Sequence, residues 1–181
     1  MHLTGGQYKG YKVEVPKDVK PTLSKVRESV FNVLNSFFKT TGNLSFLDMF
    51  SGSGIMSLEA QSRGMKVTSI EKNPKNALII KNNYKKYNII PNVITGDSIK
   101  FLKKSSGKYD VIYIDPPWSD PNFKYTYNEI LELAFLKLNK EGIIVFESEK
   151  IKKLPHQEID YGQKLIREKV YGRCMLKFFR L

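Results

Sequence analysis

The sequence predicts an α/β fold: a mostly parallel sheet covered by helices, with an antiparallel carboxyl-terminal hairpin and a small amino-terminal extension. Three observations carry this. From residue 44 onward, apolar runs of strand length alternate with stretches of helical periodicity. The central runs, such as Val111-Ile112-Tyr113-Ile114, are apolar at successive positions, as in a sheet buried on both faces. The last two strand-like runs, 163–170 and 173–180, are separated only by Tyr171-Gly172, which suits a hairpin and is too short for a crossover.

The elements follow in order. Leu3 and the alternating run 11–15 flank Gly5-Gly6-Gln7-Tyr8-Lys9-Gly10 and predict a short hairpin. Residues 16–21, bounded by prolines, read as linker. Ser24 is placed as a helix N-cap, with Val26, Val30, Phe31, Leu34, Phe37 and Phe38 on one helical face. Strands are expected at 44–49, 66–70, 92–95, 109–114 and 142–147, and helices at 54–63, 74–87, 98–104 and 126–137. Residues 1–42 form the extension and residues 43–181 the main domain, which suits a chain of 181 residues. A monomer is expected.

The formal net charge of +12 is concentrated rather than spread. Residues 72–108 hold nine lysines against one acid, and residues 1–45 hold seven bases against three acids. A polyanion such as nucleic acid is the partner this favours, an unspecialised basic surface being the plainer reading. No apolar run approaches the ~18 residues of a membrane span. The start of the chain lacks a secretion signal, so the cytoplasm is the expected location. The single cysteine, Cys174, excludes an internal disulfide and reads as a buried thiol. With one cysteine and two distant histidines, His2 and His156, no metal site is expected.

Asp48-Met49-Phe50-Ser51-Gly52-Ser53-Gly54 leaves a strand and enters a helix. Gly52 and Gly54 permit a sharp turn and close backbone approach, with Phe50 and Ser51 lining the turn. The following helix offers free N–H groups to a carboxylate. Glu71, followed by Lys72, ends the second strand, where an acid accepts the two hydroxyls of a ribose. Asp97 and Ser98 lie at the tip of the third, placed for an adenine amine and a ring nitrogen. A dinucleotide site has a similar turn and acid. Here Ser57 or a neighbour stands where its third glycine belongs. Asp48 would repel a pyrophosphate but receive an ammonium. S-adenosylmethionine is therefore the expected cofactor.

Asp115-Pro116-Pro117-Trp118 follows the fourth strand. The carboxylate and the Pro116 carbonyl accept hydrogens from an amino group, the prolines stiffen the backbone, and Trp118 offers a face for a flat ring. That combination points to methylation of an exocyclic amine on a nucleobase. The plainer readings are a strand-end cap for Asp115 and an apolar lid for Trp118. Phe123 and Tyr125 mark the next segment as a substrate loop or its tether. In the amino-terminal segment, Thr22 and Arg27 are candidates for closing over the site and reaching a phosphate, against an exposed ion pair at a helix start. Lys9, Lys12 and Lys25, with Lys81, Lys85, Lys86, Lys103, Lys104 and Lys108, are candidates for one discontinuous RNA surface.

These motifs resemble the RsmD-type guanine-N2 methyltransferases of bacterial small-subunit ribosomal RNA. The likeness rests on Gly5-Gly6-Gln7-Tyr8-Lys9-Gly10, Pro21-Thr22, Val26-Arg27-Glu28, Phe31-Asn32, the glycine turn, Leu58-Glu59-Ala60, Glu71 and Asp115-Pro116-Pro117-Trp118. It implies a class I methyltransferase, Rossmann-like fold. It also implies S-adenosylmethionine contacts from Asp48, Glu71 and Asp97, and 16S ribosomal RNA in an assembling or assembled small subunit as substrate. The family usually has phenylalanine or tyrosine where Trp118 stands. The competing readings are an adenine-N6 methyltransferase acting on DNA or RNA, and a catalytically silent RNA-binding assembly factor.

Overall fold

The computed structural model describes residues 1–117, 119–150 and 164–181. Trp118 and His156 lie outside the described residues. The elements in chain order are α1 (Ser24–Phe37), β1 (Ser45–Asp48), α2 (Ile55–Ser62), β2 (Lys66–Glu71), α3 (Pro74–Lys85), β3 (Val93–Thr95), α4 (Ser98–Lys104), β4 (Tyr109–Ile114), α5 (Tyr127–Leu136), β5 (Leu138–Glu149), β6 (Lys164–Tyr171) and β7 (Cys174–Arg180).

The seven strands lie in the order β3-β2-β1-β4-β5-β7-β6. Strands β1 to β5 pair in parallel, and β7 runs antiparallel to both β5 and β6. This is the mostly parallel sheet with a terminal hairpin that the sequence predicts. The chain winds outward from β1 to β3, then crosses back to place β4 beside β1. That reversal opens a crevice at the carboxyl ends of β1 and β4, where ligands of such sheets bind.

Side-chain alternation explains how both faces are covered. Phe46, Val111, Tyr113 and Val145 join one core with Val26, Phe31, Leu34, Leu58, Ile80 and Tyr84 from α1, α2 and α3. Leu47, Ile112, Ile114 and Ile144 join the other with Ile99, Leu102, Ile130 and Leu131 from α4 and α5. The caps are local. The Asn73 side chain accepts the Lys75 N–H at 2.9 Å, with Pro74 in the first turn, and Thr126 with Glu129 forms a capping box.

Three local readings change. The expected amino-terminal hairpin is a single antiparallel bridge, His2 with Lys12, around an excursion that docks on α2. Gln7 N–H donates to the Ser62 carbonyl at 2.7 Å, and a Cβ on Gly6 would fall 2.0 Å from that oxygen. Close approach therefore requires the glycine. Ser24 is the first helical residue and not the N-cap, which is Leu23. Its hydroxyl accepts from Arg27 Nη2 at 3.2 Å. Strand β5 begins at Leu138, four residues early, and its register with β4 slips between Tyr109 and Val111. Polar Asn139 conceals that start from an apolar count, while its amide donates to Asp110 Oδ1 at 2.7 Å.

Candidate active site

A cleft of about 1330 Å³ opens at the carboxyl ends of the parallel strands. It is lined by Asp48, Phe50, Ser51, Gly52, Glu71, Lys72, Asp97, Ser98, Asp115, Pro116 and Pro117, so both predicted motifs face one space.

On the β1 side, Asp48 is buried, and its Oδ2 accepts from the Ser57 hydroxyl at 2.6 Å. Its Oδ1 is buried without a hydrogen-bond partner. Burial, reinforced by the nearby Glu71 charge, pushes its pKa up to about 7 against the Ser57 bond. An unpartnered buried acceptor is costly, and an incoming ammonium relieves that cost. Gly52 and Gly54 both lie at positive φ, 51° and 71°. A Cβ on Gly54 would fall 2.8 Å from Ile80 Cγ2, so only glycine brings the chain this tightly into α2.

Glu71 fixes the floor of the turn. Its Oε2 accepts the Gly52 N–H at 2.7 Å and its Oε1 the Asn73 N–H at 2.8 Å. One lone pair on each oxygen remains for a diol. Burial raises its pKa against these donors. Asp97 caps α4, its Oδ1 accepting from Ile99 and Lys100 N–H at 3.0 Å each. The Ser98 hydroxyl is turned to the Met49 carbonyl. Lys72 is exposed at the rim. The arrangement fits S-adenosylmethionine: an acceptor for its ammonium, a glycine turn for backbone approach, a paired acceptor for its ribose and an acid toward the adenine end.

On the β4 side, Asp115 stands at the strand end, and Pro116 is buried behind it. The Pro117 carbonyl accepts the Asp120 N–H at 2.9 Å, closing a turn. Burial, then the charges of Glu147 and Asp48, drive the Asp115 carboxyl well above the usual carboxylate range, against the pull of Lys20. Phe123 stacks edge-on against Phe50 and Tyr125, which ties the following segment to the cofactor side.

The amino-terminal candidates divide. Arg27 is a correction. It is neither an exposed ion pair nor free to meet a phosphate, because its guanidinium is fully buried. Nε pairs with Glu59 Oε1 at 3.0 Å, Nη1 donates to the Thr22 carbonyl at 2.6 Å, and Nη2 donates to the His2 carbonyl at 2.9 Å. Thr22 does line the cleft. Lys9, Lys12 and Lys25 are exposed, and none is among the described lining residues. The single lysine surface is a second correction, since α3 and α4 cover opposite faces of the sheet.

Two features escape a reading of the sequence. The segment expected to be a linker supplies a cleft wall through Asp18, Val19, Lys20 and Pro21. Val19 Cγ1 lies 3.1 Å from where a Cβ on Gly52 would stand. Glu147 also lines the cleft. A signal for it exists: it is an acid closing an apolar strand, as Asp48, Glu71 and Asp115 do.

Sheet order, glycine turn and strand-end acids together define a class I methyltransferase that uses S-adenosylmethionine. The family described as Conserved hypothetical protein 95 matches residues 1–180. The Ribosomal RNA small subunit methyltransferase D of Buchnera aphidicola is 34% identical over 155 residues, covering 83% of this chain and 78% of that protein. The Escherichia coli K12 protein of the same name is 29% identical over 185 residues, covering 99% and 89%. The chain belongs to the family of ribosomal RNA small subunit methyltransferases D. Among solved structures, yhhF from Escherichia coli superposes with a TM-score of 0.82 at 28% identity, covering 99% of this chain and 96% of that one. The Thermus thermophilus protein TTHA0928 gives 0.84 at 24% identity, over 100% and 99%, and shows the fold alone.

Proposed function

We propose that this chain transfers a methyl group from S-adenosylmethionine to N2 of a guanine in 16S ribosomal RNA, acting in the cytoplasm on the small subunit. The observation that carries this is the meeting, in one cleft, of the unpartnered Asp48 oxygen with Asp115 and Pro116. The names of the relatives support the RNA class. No described helix is long and apolar enough to cross a membrane.

S-adenosylmethionine supplies an activated methyl on a good leaving group. The protein supplies position and charge. An exocyclic amine is a poor nucleophile because its lone pair is delocalised into the ring. Asp115 and the Pro116 carbonyl hold its hydrogens, turn that pair toward the methyl and stabilise the positive charge the nitrogen gains. Asp48 holds the ammonium of the cofactor and Glu71 its ribose, and Trp118 stacks on the base. Residues 1–42, pinned to α2 through Arg27 and Glu59, present 18–22 as the wall over both ligands.

Unmodified small subunits incubated with labelled S-adenosylmethionine should yield N2-methylguanosine on nucleoside analysis. N6-methyladenosine would replace the proposal with an adenine-N6 enzyme. RNA binding without label would indicate a silent assembly factor.

Glu71→Ala should weaken S-adenosylmethionine binding by about 1–3 kcal/mol, the scale for a lost buried polar pairing. Calorimetry on the folded variant measures this, and unchanged affinity rejects the ribose assignment.

One face also carries a compact basic cluster. Tyr87 hydroxyl donates to the Lys12 carbonyl at 2.6 Å, and Lys86 Nζ lies 5.6 Å from the Tyr87 ring centre. Lys12, Lys85 and Lys86 are all exposed there. Changing the three to glutamine should weaken RNA binding across sequences and reduce the salt slope by roughly 0.7–0.9 for each phosphate no longer neutralised. Titrations at several salt concentrations with identical slopes for both proteins would move the RNA off this face.

A further inference from the structure

Glu147 is a carboxylate on the acceptor side of the cleft that the methyl-transfer scheme leaves unused. In the parallel ladder of β4 and β5, Tyr113 lies opposite Val145 and Ile114 opposite Phe146. One step further along the same register sets Asp115 beside Glu147, at the usual strand spacing of about 4.8 Å. Both line the cleft.

Glu147 is held from two sides. The Tyr113 hydroxyl donates to Oε2, and the Cys174 thiol, arriving on β7, donates to Oε1 at 3.2 Å. Both donors favour the carboxylate form, and one outward lone pair remains on each oxygen. The charged and titratable groups facing it are Tyr113 and Asp115 from β4, Cys174 from β7 and Lys20 from the amino-terminal wall. Burial raises the Glu147 pKa, opposed by Tyr113, Cys174 and Lys20.

Two neighbouring acceptors suit one base edge. Guanine presents N2–H and N1–H side by side on its Watson–Crick edge. Adenine presents an amine beside a bare ring nitrogen, whose lone pair would face a carboxylate. An unstacked base is read on this edge. We propose that Glu147 accepts guanine N1–H while Asp115 accepts N2–H, so that Glu147 selects guanine over bases lacking that hydrogen. This rests on the guanine-N2 reading given above, and it adds a residue that sets specificity at the same site.

The probe is 2-aminopurine, which keeps the amine at C2 but has a lone pair at N1. Once label from the wild-type protein has mapped the target, small subunits are reconstituted with 2-aminopurine at that position. The wild-type protein should use them at least ~100-fold less well in kcat/KM than the guanine form, as sites built around a substrate N–H reject analogues lacking it. Glu147→Gln should narrow the preference to within about 10-fold, because its amide presents a hydrogen to N1 while the Tyr113 hydroxyl turns to accept the other. Equal use of both substrates by the wild-type protein, or an unchanged preference in a folded Glu147→Gln protein, overturns the proposal. The wild-type comparison needs no variant, so misfolding does not shelter the idea. Failure to label any guanine in the mapping step would instead remove the guanine reading itself.

Discussion

Asp115→Ala should cut single-turnover methyl transfer by about 10²–10³-fold, the scale for removing one preorganised electrostatic contact to a transition state. S-adenosylmethionine affinity should stay within about threefold, because the contact is made to the amine and strengthens only as charge develops. Asp115→Asn keeps the shape and should be almost as slow. Its carbonyl accepts one hydrogen, but no negative charge faces the nitrogen. Both rates belong on one preparation, with binding measured alongside. Turnover near the wild-type rate would return Asp115 to the role of a strand-end cap. The acid limb of the wild-type rate profile should lie above the ordinary aspartate range, since burial and the Glu147 and Asp48 charges hold the carboxyl protonated to higher pH. The shift at Asp48 has a stability counterpart of opposite benefit. Its folded pKa, about 7, exceeds the ordinary 3.8, so protonation favours the fold. That contribution is complete below 3.8 and is lost as pH rises through 7 in the protein without cofactor.

Arg27→Ala should cost about 3–5 kcal/mol of unfolding free energy, the range for breaking a buried ion pair from one side. For a chain of this length that lowers the melting temperature by on the order of 10 °C. Glu59 keeps a partner, because Arg63 Nη1 also pairs with its Oε2. The carbonyls of Thr22 and His2 lose theirs and remain part-buried. The loss should therefore reach the cleft wall, and limited proteolysis should cut the amino-terminal segment first. A variant with near-native stability and weakened RNA binding would return Arg27 to the RNA side.

The alternation of strands and helices is legible because the central strands are apolar at successive positions, and because Asn73-Pro74 and the glycines of 52–54 mark local geometry. The cofactor acids are legible for a related reason: each closes an apolar strand, so topology alone brings them to one edge. Arg27 is not. A charged side chain reads as surface until its partner is known, and that partner is 32 residues away, while Thr4 reaches the same carboxylate across 55. Residues 16–21 read as linker for a similar reason, since proline, lysine and aspartate describe a loop but not what the loop leans on. Glu147 carries the same strand-end signal as the others. It escapes notice because β5 runs on through Ser148 and Glu149, which blurs where the strand ends.

The strand order of the hairpin has a kinetic consequence. β6 precedes β7 in the chain, yet β7 is the strand that pairs with β5. β6 therefore cannot join the sheet before β7: the two dock together as a hairpin, or β6 folds back onto a β7 already paired with β5. Isolated hairpins close within about 1–10 μs but are marginal until a third strand receives them. The turn between the strands, with Gly172 at φ 60°, carries Tyr171, Arg173 and Cys174 into the cleft. The turn is anchored by the Tyr171 hydroxyl, which donates to the Ser29 hydroxyl at 2.6 Å across 142 residues. Completing the cleft thus requires a contact between distant parts of the chain, the kind of non-local pairing that slows folding. Substitutions at Gly172, which is not among the described lining residues, would show themselves as slow maturation of activity after refolding.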